Sequence, residues 1–115
     1  MADPQATLTA AFEAFWGTAK EFSRDRVGLR QAFKNGAAFI VTREAMRGPD
    51  AIIALIDGGD VYALQELWPW IVKNLEAHPE WGEVHRDAVM FGGFAALTLF
   101  RVGAALSQQL DAFQP

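Results

Sequence analysis

The sequence predicts an all-α fold, a compact bundle of four to five helices with a long, largely buried C-terminal helix. Apolar residues recur every three to four positions along most of the 115-residue chain, which is the period of a helix with one buried face. Gly and Pro interrupt this pattern where helices are expected to end. Apolar residues make up 51% of the chain and include nine Phe and four Trp, enough to fill one core. We therefore expect a single helical domain over residues 1–115.

The first helix is predicted to begin at Asp3-Pro4, because Asp is a preferred N-cap and Pro fits the first helical position. An apolar stripe rich in aromatic residues then follows at helical spacing for about five turns. Its members are Leu8, Phe12, Phe15, Trp16, Ala19 and Phe22. Amphipathic packing is the ordinary use of this period, so we assign the stripe to the core rather than to a cofactor site.

The second helix is predicted to follow a turn and a cap at residues 23–25. Its apolar residues recur at steps of three and four, at Leu29, Phe33, Ala37 and Ile40. Asn35-Gly36 offers a break within it, because Asn-Gly favours turns and Gly weakens a helix by about 1 kcal/mol relative to Ala. A strand from Ala37 to Thr42 is the alternative, but no nearby segment offers a second strand to pair with it. We expect the helix to continue to Met46 or Arg47.

Two further helices are predicted between residues 48 and 78. Gly48-Pro49 ends the second helix, and a short helix over Ala51–Ile56 follows and ends at Gly58-Gly59. Asp60 is expected to cap the next helix. The apolar residues of that helix are Val61, Leu64, Leu67, Trp68, Ile71 and Leu75. Pro69 lies in its middle and predicts either a kink or a restart at Trp68, because Pro lacks an N–H and clashes with the preceding turn.

The last helix is predicted from about Glu83 to Leu110, and it is apolar nearly all round at its centre. One side carries mostly small residues, which let a neighbouring helix approach closely. That side consists of Ala88, Gly92, Ala95, Ala96, Gly103 and Ser107, interrupted by Leu99. The opposite side consists of Met90, Phe94, Leu97, Arg101, Ala105 and Gln108. A helix with two such faces is expected either at the centre of the bundle or at an interface between chains.

These features predict a non-enzymatic protein–protein interaction module that associates with itself as a homodimer or with another protein. The expected interface combines the outer side of the last helix with an aromatic patch around Pro69. Its residues are Met90, Phe94, Leu97, Arg101, Trp68 and Trp70. Trp70 lies off the line of Leu67, Ile71 and Leu75, so we expect it to be the most exposed of the nearby tryptophans.

Nucleic-acid binding by the second helix is an alternative, because basic residues cluster there. The candidates for phosphate contact are Arg24, Arg26, Arg30 and Lys34. The net charge of residues 20–47 is +4 and that of residues 50–87 is −6, while the chain as a whole carries −4 with a pI of about 5.0. An acidic body repels a polyanion, so a solvated basic face, or one paired with the acidic segment, fits this charge balance better.

No motif in the sequence indicates catalysis, a cofactor or a metal centre. His78, Glu80, Glu83 and His85 are potential metal ligands, but the two histidines lie seven residues apart rather than the four of a helical zinc motif. Gly58-Gly59-Asp60 lacks the lysine of a P-loop and the third glycine of a dinucleotide fingerprint. A binder of small hydrophobic ligands, with a pocket lined by Trp and a His at its mouth, remains the other alternative.

The chain is expected to fold in the cytoplasm. It contains no cysteine, and its first residues lack the basic start and apolar stretch of a secretory signal. The uncharged run from Ala88 to Phe100 is thirteen residues long, whereas a bilayer requires about 20. We therefore interpret the run as a buried helix rather than a membrane span.

Overall fold

A computed structural model of the protein describes residues 4–102. This part of the chain contains five helices and no strand: α1 (Pro4–Ala19), α2 (Arg26–Arg47), α3 (Pro49–Asp57), α4 (Gly59–Ala77) and α5 (Glu83–Val102). The predicted all-α bundle is therefore confirmed. The segment from Ala37 to Thr42 lies within α2, so the strand alternative is wrong.

The start of the chain follows the predicted pattern with one difference. Helix α1 begins at Pro4, as expected, and the proposed cap at Asp3 lies outside the described residues. Leu8 and Phe12 are buried in the core, but α1 ends at Ala19. Phe22 therefore lies in the following turn, where it is 72% exposed rather than part of the buried stripe.

Helices α2 and α5 pack with their backbones in close contact. This contact explains why two positions in the helices are glycine. A Cβ atom on Gly36 would overlap the carbonyl oxygen of Val89, and one on Gly92 would overlap the carbonyl oxygen of Phe33. Asn35-Gly36 is thus a site of close helix approach within a continuous helix, rather than a break. The small-residue side of α5 lies against α2, as its composition predicts.

Helix α5 lies at the centre of the bundle and packs against all four other helices. Its small side is buried at Ala88, Gly92 and Ala96, and its other side is buried at Leu97, which is 1% exposed. The long, largely buried C-terminal helix is therefore confirmed over Glu83–Val102. The predicted continuation to Leu110 lies outside the described residues.

Helices α3 and α4 are joined by Gly58-Gly59, and Gly59 has a φ of 85°, a backbone conformation that glycine adopts without strain. Helix α4 starts at Gly59, so Asp60 lies in its first turn and is not its cap. The helix continues through Pro69 without the predicted restart at Trp68. No described helix is long and apolar enough to cross a membrane.

Candidate functional site

Most of the predicted interface residues of α5 are used inside the bundle. Leu97 is a core residue, and Met90 and Phe94 are half-buried against the core. The guanidinium of Arg101 donates to Asp60 Oδ1 at 2.8 Å, which ties the end of α5 to the start of α4. These four residues therefore form no exposed apolar face, and Leu97 is corrected from an outward residue to a core residue.

The two tryptophans of the predicted aromatic patch differ in exposure, in the opposite order to the prediction. Trp68 is 46% exposed, whereas Trp70 is half-buried and packs against the core. The Trp70 indole N–H donates to the backbone carbonyl of Asn35 at 2.8 Å, and the Asn35 side chain in turn donates to Asn74 Oδ1 at 2.8 Å. A polar network between α2 and α4 thus holds Trp70 inward, which corrects the prediction that it is the most exposed tryptophan.

Trp68 belongs to a line of exposed residues along α4, which we call the α4 seam. The seam consists of Val61, Gln65, Trp68 and Val72. The exposed fractions of its apolar members are 73% for Val61, 46% for Trp68 and 36% for Val72. Steps of four, three and four residues place all four side chains on one side of the helix, with the spacing of a coiled-coil contact line.

Sequence reasoning missed Val72, and it grouped Val61 and Trp68 with the other apolar residues of this helix while also placing Trp68 in the predicted interface. The structure divides the apolar residues of α4 between two faces, since Leu67 and Ile71 are buried in the core. The four-three-four spacing of the seam is visible in the sequence. It could have identified the second face, although it could not have shown which of the two faces is exposed.

A second apolar feature is a groove between α1 and α5 with a volume of about 770 Å³. Five phenylalanines contribute to its lining, namely Phe15, Phe22, Phe33, Phe91 and Phe94. Phe91 is 49% exposed, and its ring lies 5.5 Å from that of Phe15 across the groove. Glu83, Asp87 and Thr98 add polar groups to its walls. Tryptophan and histidine are not among the lining residues, so the predicted Trp-lined pocket does not correspond to this groove.

His85 joins the N-termini of α2 and α5. Its Nδ1 accepts the backbone N–H of Gly82 at 3.2 Å, so Nε2 carries the ring proton and donates to Asp25 Oδ2 at 2.9 Å. Asp25 also caps α2 by accepting the N–H of Gly28 at 3.0 Å. The hydrogen bond from His85, followed by that from Gly28, lowers the pKa of Asp25 below its ordinary value of 3.8.

Trp81 lies between the two histidines in a stack of three rings. The Trp81 ring is 3.8 Å from that of His78 and 5.4 Å from that of His85, and the planes are nearly parallel in both pairs. His78 Nδ1 lies 3.4 Å from Glu80. Both ring nitrogens of His85 are engaged within the protein. Among the described residues, no three His, Asp or Glu side chains are arranged to hold a metal ion.

The candidate phosphate-binding residues do not form one free stripe. Arg26 pairs with Glu13, and its guanidinium lies 5.3 Å from the ring centres of both Phe12 and Trp16. Arg24, Arg30 and Lys34 are exposed. The basic second helix also pairs with the acidic part of the chain, as the charge pattern predicts, because Arg43 donates to Glu66 at 3.0 Å.

Comparison with known protein families, curated proteins and solved structures finds no match for this chain.

Proposed function

We propose that the protein is a non-enzymatic interaction module that forms a homodimer through the α4 seam. The observation that carries this proposal is the exposed line of Val61, Trp68 and Val72 at coiled-coil spacing. Large side chains exposed in one continuous line are a feature of association surfaces, whereas isolated exposed apolar residues are ordinary.

The spacing of the seam fits a second copy of the same chain. When two α4 helices pair antiparallel about a two-fold axis, Val61 of one copy faces Val72 of the other. Gln65 then faces Trp68 in both directions, so one surface serves both subunits, as a two-fold dimer requires. The single polar residue, Gln65, would favour this register over a shifted one.

The expected dimer is weak. Complete burial of each large apolar side chain contributes about 1.5–3 kcal/mol, and this gain is offset by the lost translational and rotational freedom of two chains. An interface one helix wide lies at the small end of specific interfaces. We therefore expect a dissociation constant in the micromolar range. The compartment that we propose is the cytoplasm, which the absence of cysteine suits.

Sedimentation velocity over a range of protein concentrations tests this proposal. The wild type should change from monomer to dimer, and Val61→Glu should remain monomeric because it places a charge in the apolar contact. Val27→Glu is the matched control, since Val27 is 83% exposed and lies on α2, away from the seam. A wild type that stays monomeric up to several hundred micromolar, or a dimer that persists in Val61→Glu, would contradict the proposal.

A further inference from the structure

The groove between α1 and α5 is an apolar surface that the proposed dimer does not use. Phe91 is 49% exposed and Phe22 is 72% exposed, and both contribute to its lining. Its volume of about 770 Å³ lies within the range of small-molecule sites, roughly 300–1,000 Å³. Aromatic side chains grouped in one concave surface favour an apolar occupant, because each ring in contact with water forgoes its transfer free energy.

The charged side chains that line the groove lie at one end of it. Glu83 and Asp87 belong to the first two turns of α5. Phe22 lies at the same end, because Asp25, three residues further along the chain, accepts a hydrogen bond from His85 in the first turn of α5. Beyond Asp87 the groove continues along about three further turns of the helix, or roughly 16 Å. The groove therefore has one acidic end and a longer apolar part.

The negative charge at this end is only partly compensated within the protein. None of the described residues that line the groove is basic. Arg86 donates to Asp87 through two nitrogens, both at 3.3 Å and both to the same oxygen, Oδ1. Within the described part of the chain, Glu83 has no ion-pair partner. The group that complements this end of the groove is therefore a cation.

We propose that this groove binds a small amphiphilic organic cation, an apolar chain or ring system that carries an ammonium group. The ammonium group lies beside Glu83 and Asp87, and the apolar part lies along the phenylalanines toward Thr98. The exposed ring of Phe22 borders the acidic end and adds a cation–π contact, the interaction by which aromatic side chains bind quaternary ammonium groups. An anionic amphiphile such as a fatty acid is repelled at the same position.

Isothermal titration calorimetry of the full-length chain tests the proposal with two amphiphiles that differ only in the charged group. Decyltrimethylammonium, kept below the concentration at which it forms micelles, should bind saturably to one site per chain. Decyl sulfate has the same apolar chain and should bind about tenfold more weakly or worse, because its negative charge meets the two carboxylates. The absence of saturable binding of the cation, or equal affinity for the two amphiphiles, would overturn the proposal.

Two double variants locate the bound cation on the protein. Glu83→Gln with Asp87→Asn should weaken decyltrimethylammonium binding about fivefold, a modest change because both carboxylates are partly exposed to water. Asp57→Asn with Glu76→Gln is the matched control, since it removes the same charge at exposed positions of α3 and α4 outside the groove and should bind as the wild type does. An equal loss in both double variants would reduce the effect to net charge and overturn the proposal.

A single variant tests the apolar part of the groove. Phe91→Ser replaces a lining residue that is 49% exposed and lies outside the buried core, so the chain should keep the circular dichroism spectrum of the wild type. Binding of decyltrimethylammonium should weaken severalfold, because the apolar chain loses a ring that it contacts. Unchanged binding in Phe91→Ser would show that the cation binds elsewhere.

This inference is independent of dimerisation through the α4 seam, because no residue of α4 is among the described residues that line the groove. The titration is therefore repeated with Val61→Glu, where the affinity for the cation should be unchanged. A loss of binding in this variant would place the site in the dimer alone and overturn the proposal. Dissociation of a wild-type dimer by the cation would assign the groove to a contact between two copies and would overturn it as well.

Discussion

Two glycines set the distance between the central helices of this protein. The sequence identifies Gly92 correctly as part of a small-residue side, because that side repeats at helical spacing along α5. It is ambiguous at Gly36, since Asn-Gly is also typical of a turn. The close approach to the carbonyl oxygen of Val89 resolves the ambiguity, and it depends on a contact with a residue 53 positions away.

Substituting these glycines tests the close packing of α2 and α5. Gly36→Ala or Gly92→Ala should lower the free energy of unfolding by about 1–3 kcal/mol or more, because the new methyl group meets backbone atoms that cannot move aside alone. Gly17→Ala is the control, since Gly17 lies in α1 with open space around it and the change should stabilise the protein by about 0.5–1 kcal/mol. Urea unfolding measures all three, and a neutral Gly36→Ala would contradict the close contact.

Asp25 caps α2 and also accepts a hydrogen bond from a distant part of the chain. The sequence predicts a cap at residues 23–25, and the cap is confirmed by the hydrogen bond from Gly28. The second bond, from His85, spans 60 residues and has no local sequence signal. His85 shows no metal-site arrangement among the described residues and instead links the starts of two helices.

The lowered pKa of Asp25 predicts how this cap responds to acid. A depressed folded-state pKa means that the contribution of Asp25 to stability is fully present above its unfolded value of about 3.8 and is lost as the pH falls below that value. Asp25→Asn should therefore be less stable than the wild type at pH 7, and the difference should shrink at pH 3. Glu21→Gln, an exposed position in the same loop, is the control and should show little difference at pH 7. A difference for Asp25→Asn that stays constant between pH 7 and pH 3 would contradict the assignment.

At the scale of elements, the ends of a helix are easier to predict than which of its faces is buried. The stops at Gly48 and Gly58 and the start at Pro4 follow from residue types alone, so the start of α1 and the ends of α2 and α3 agree closely with expectation. The orientation of α4 does not follow in this way, because Val61 and Leu67 are both apolar and only the arrangement of its neighbours buries one and exposes the other.

Trp70 shows why the sequence does not reveal which tryptophan of α4 is exposed. The indole can be buried because its N–H reaches the carbonyl of Asn35, and Asn74 is buried beside it with both ends of its amide hydrogen-bonded. These partners come from another helix, and the helical period of α4 contains no information about them. Trp68 has no such partner among the described residues and lies on the exposed side.

At the scale of the whole molecule, the central position of α5 accounts for most of its apolar surface. Sequence reasoning offered two explanations, a bundle centre or an interface, and the structure supports the first for the described part of the helix. Among the described residues, exposed apolar side chains are grouped on α4 and in the groove between α1 and α5, whereas Val27, Met46 and Ile53 are exposed on α2 and α3. The opposite charges of the two parts of the chain also meet within one molecule, at Arg43–Glu66.

This distribution of charge predicts how the proposed dimer responds to salt. The apolar side chains of the α4 seam carry no charge, so association through them should change by less than about twofold between 50 and 500 mM NaCl. Association through the basic and acidic parts of two chains would weaken steeply over the same range, because the Debye length falls from roughly 14 Å to about 4 Å. Sedimentation velocity of the wild type at both salt concentrations separates these mechanisms. A dimer that dissociates at high salt would exclude the seam as its main contact and would point to the exposed basic residues of the second helix and its preceding turn, Arg24, Arg30 and Lys34.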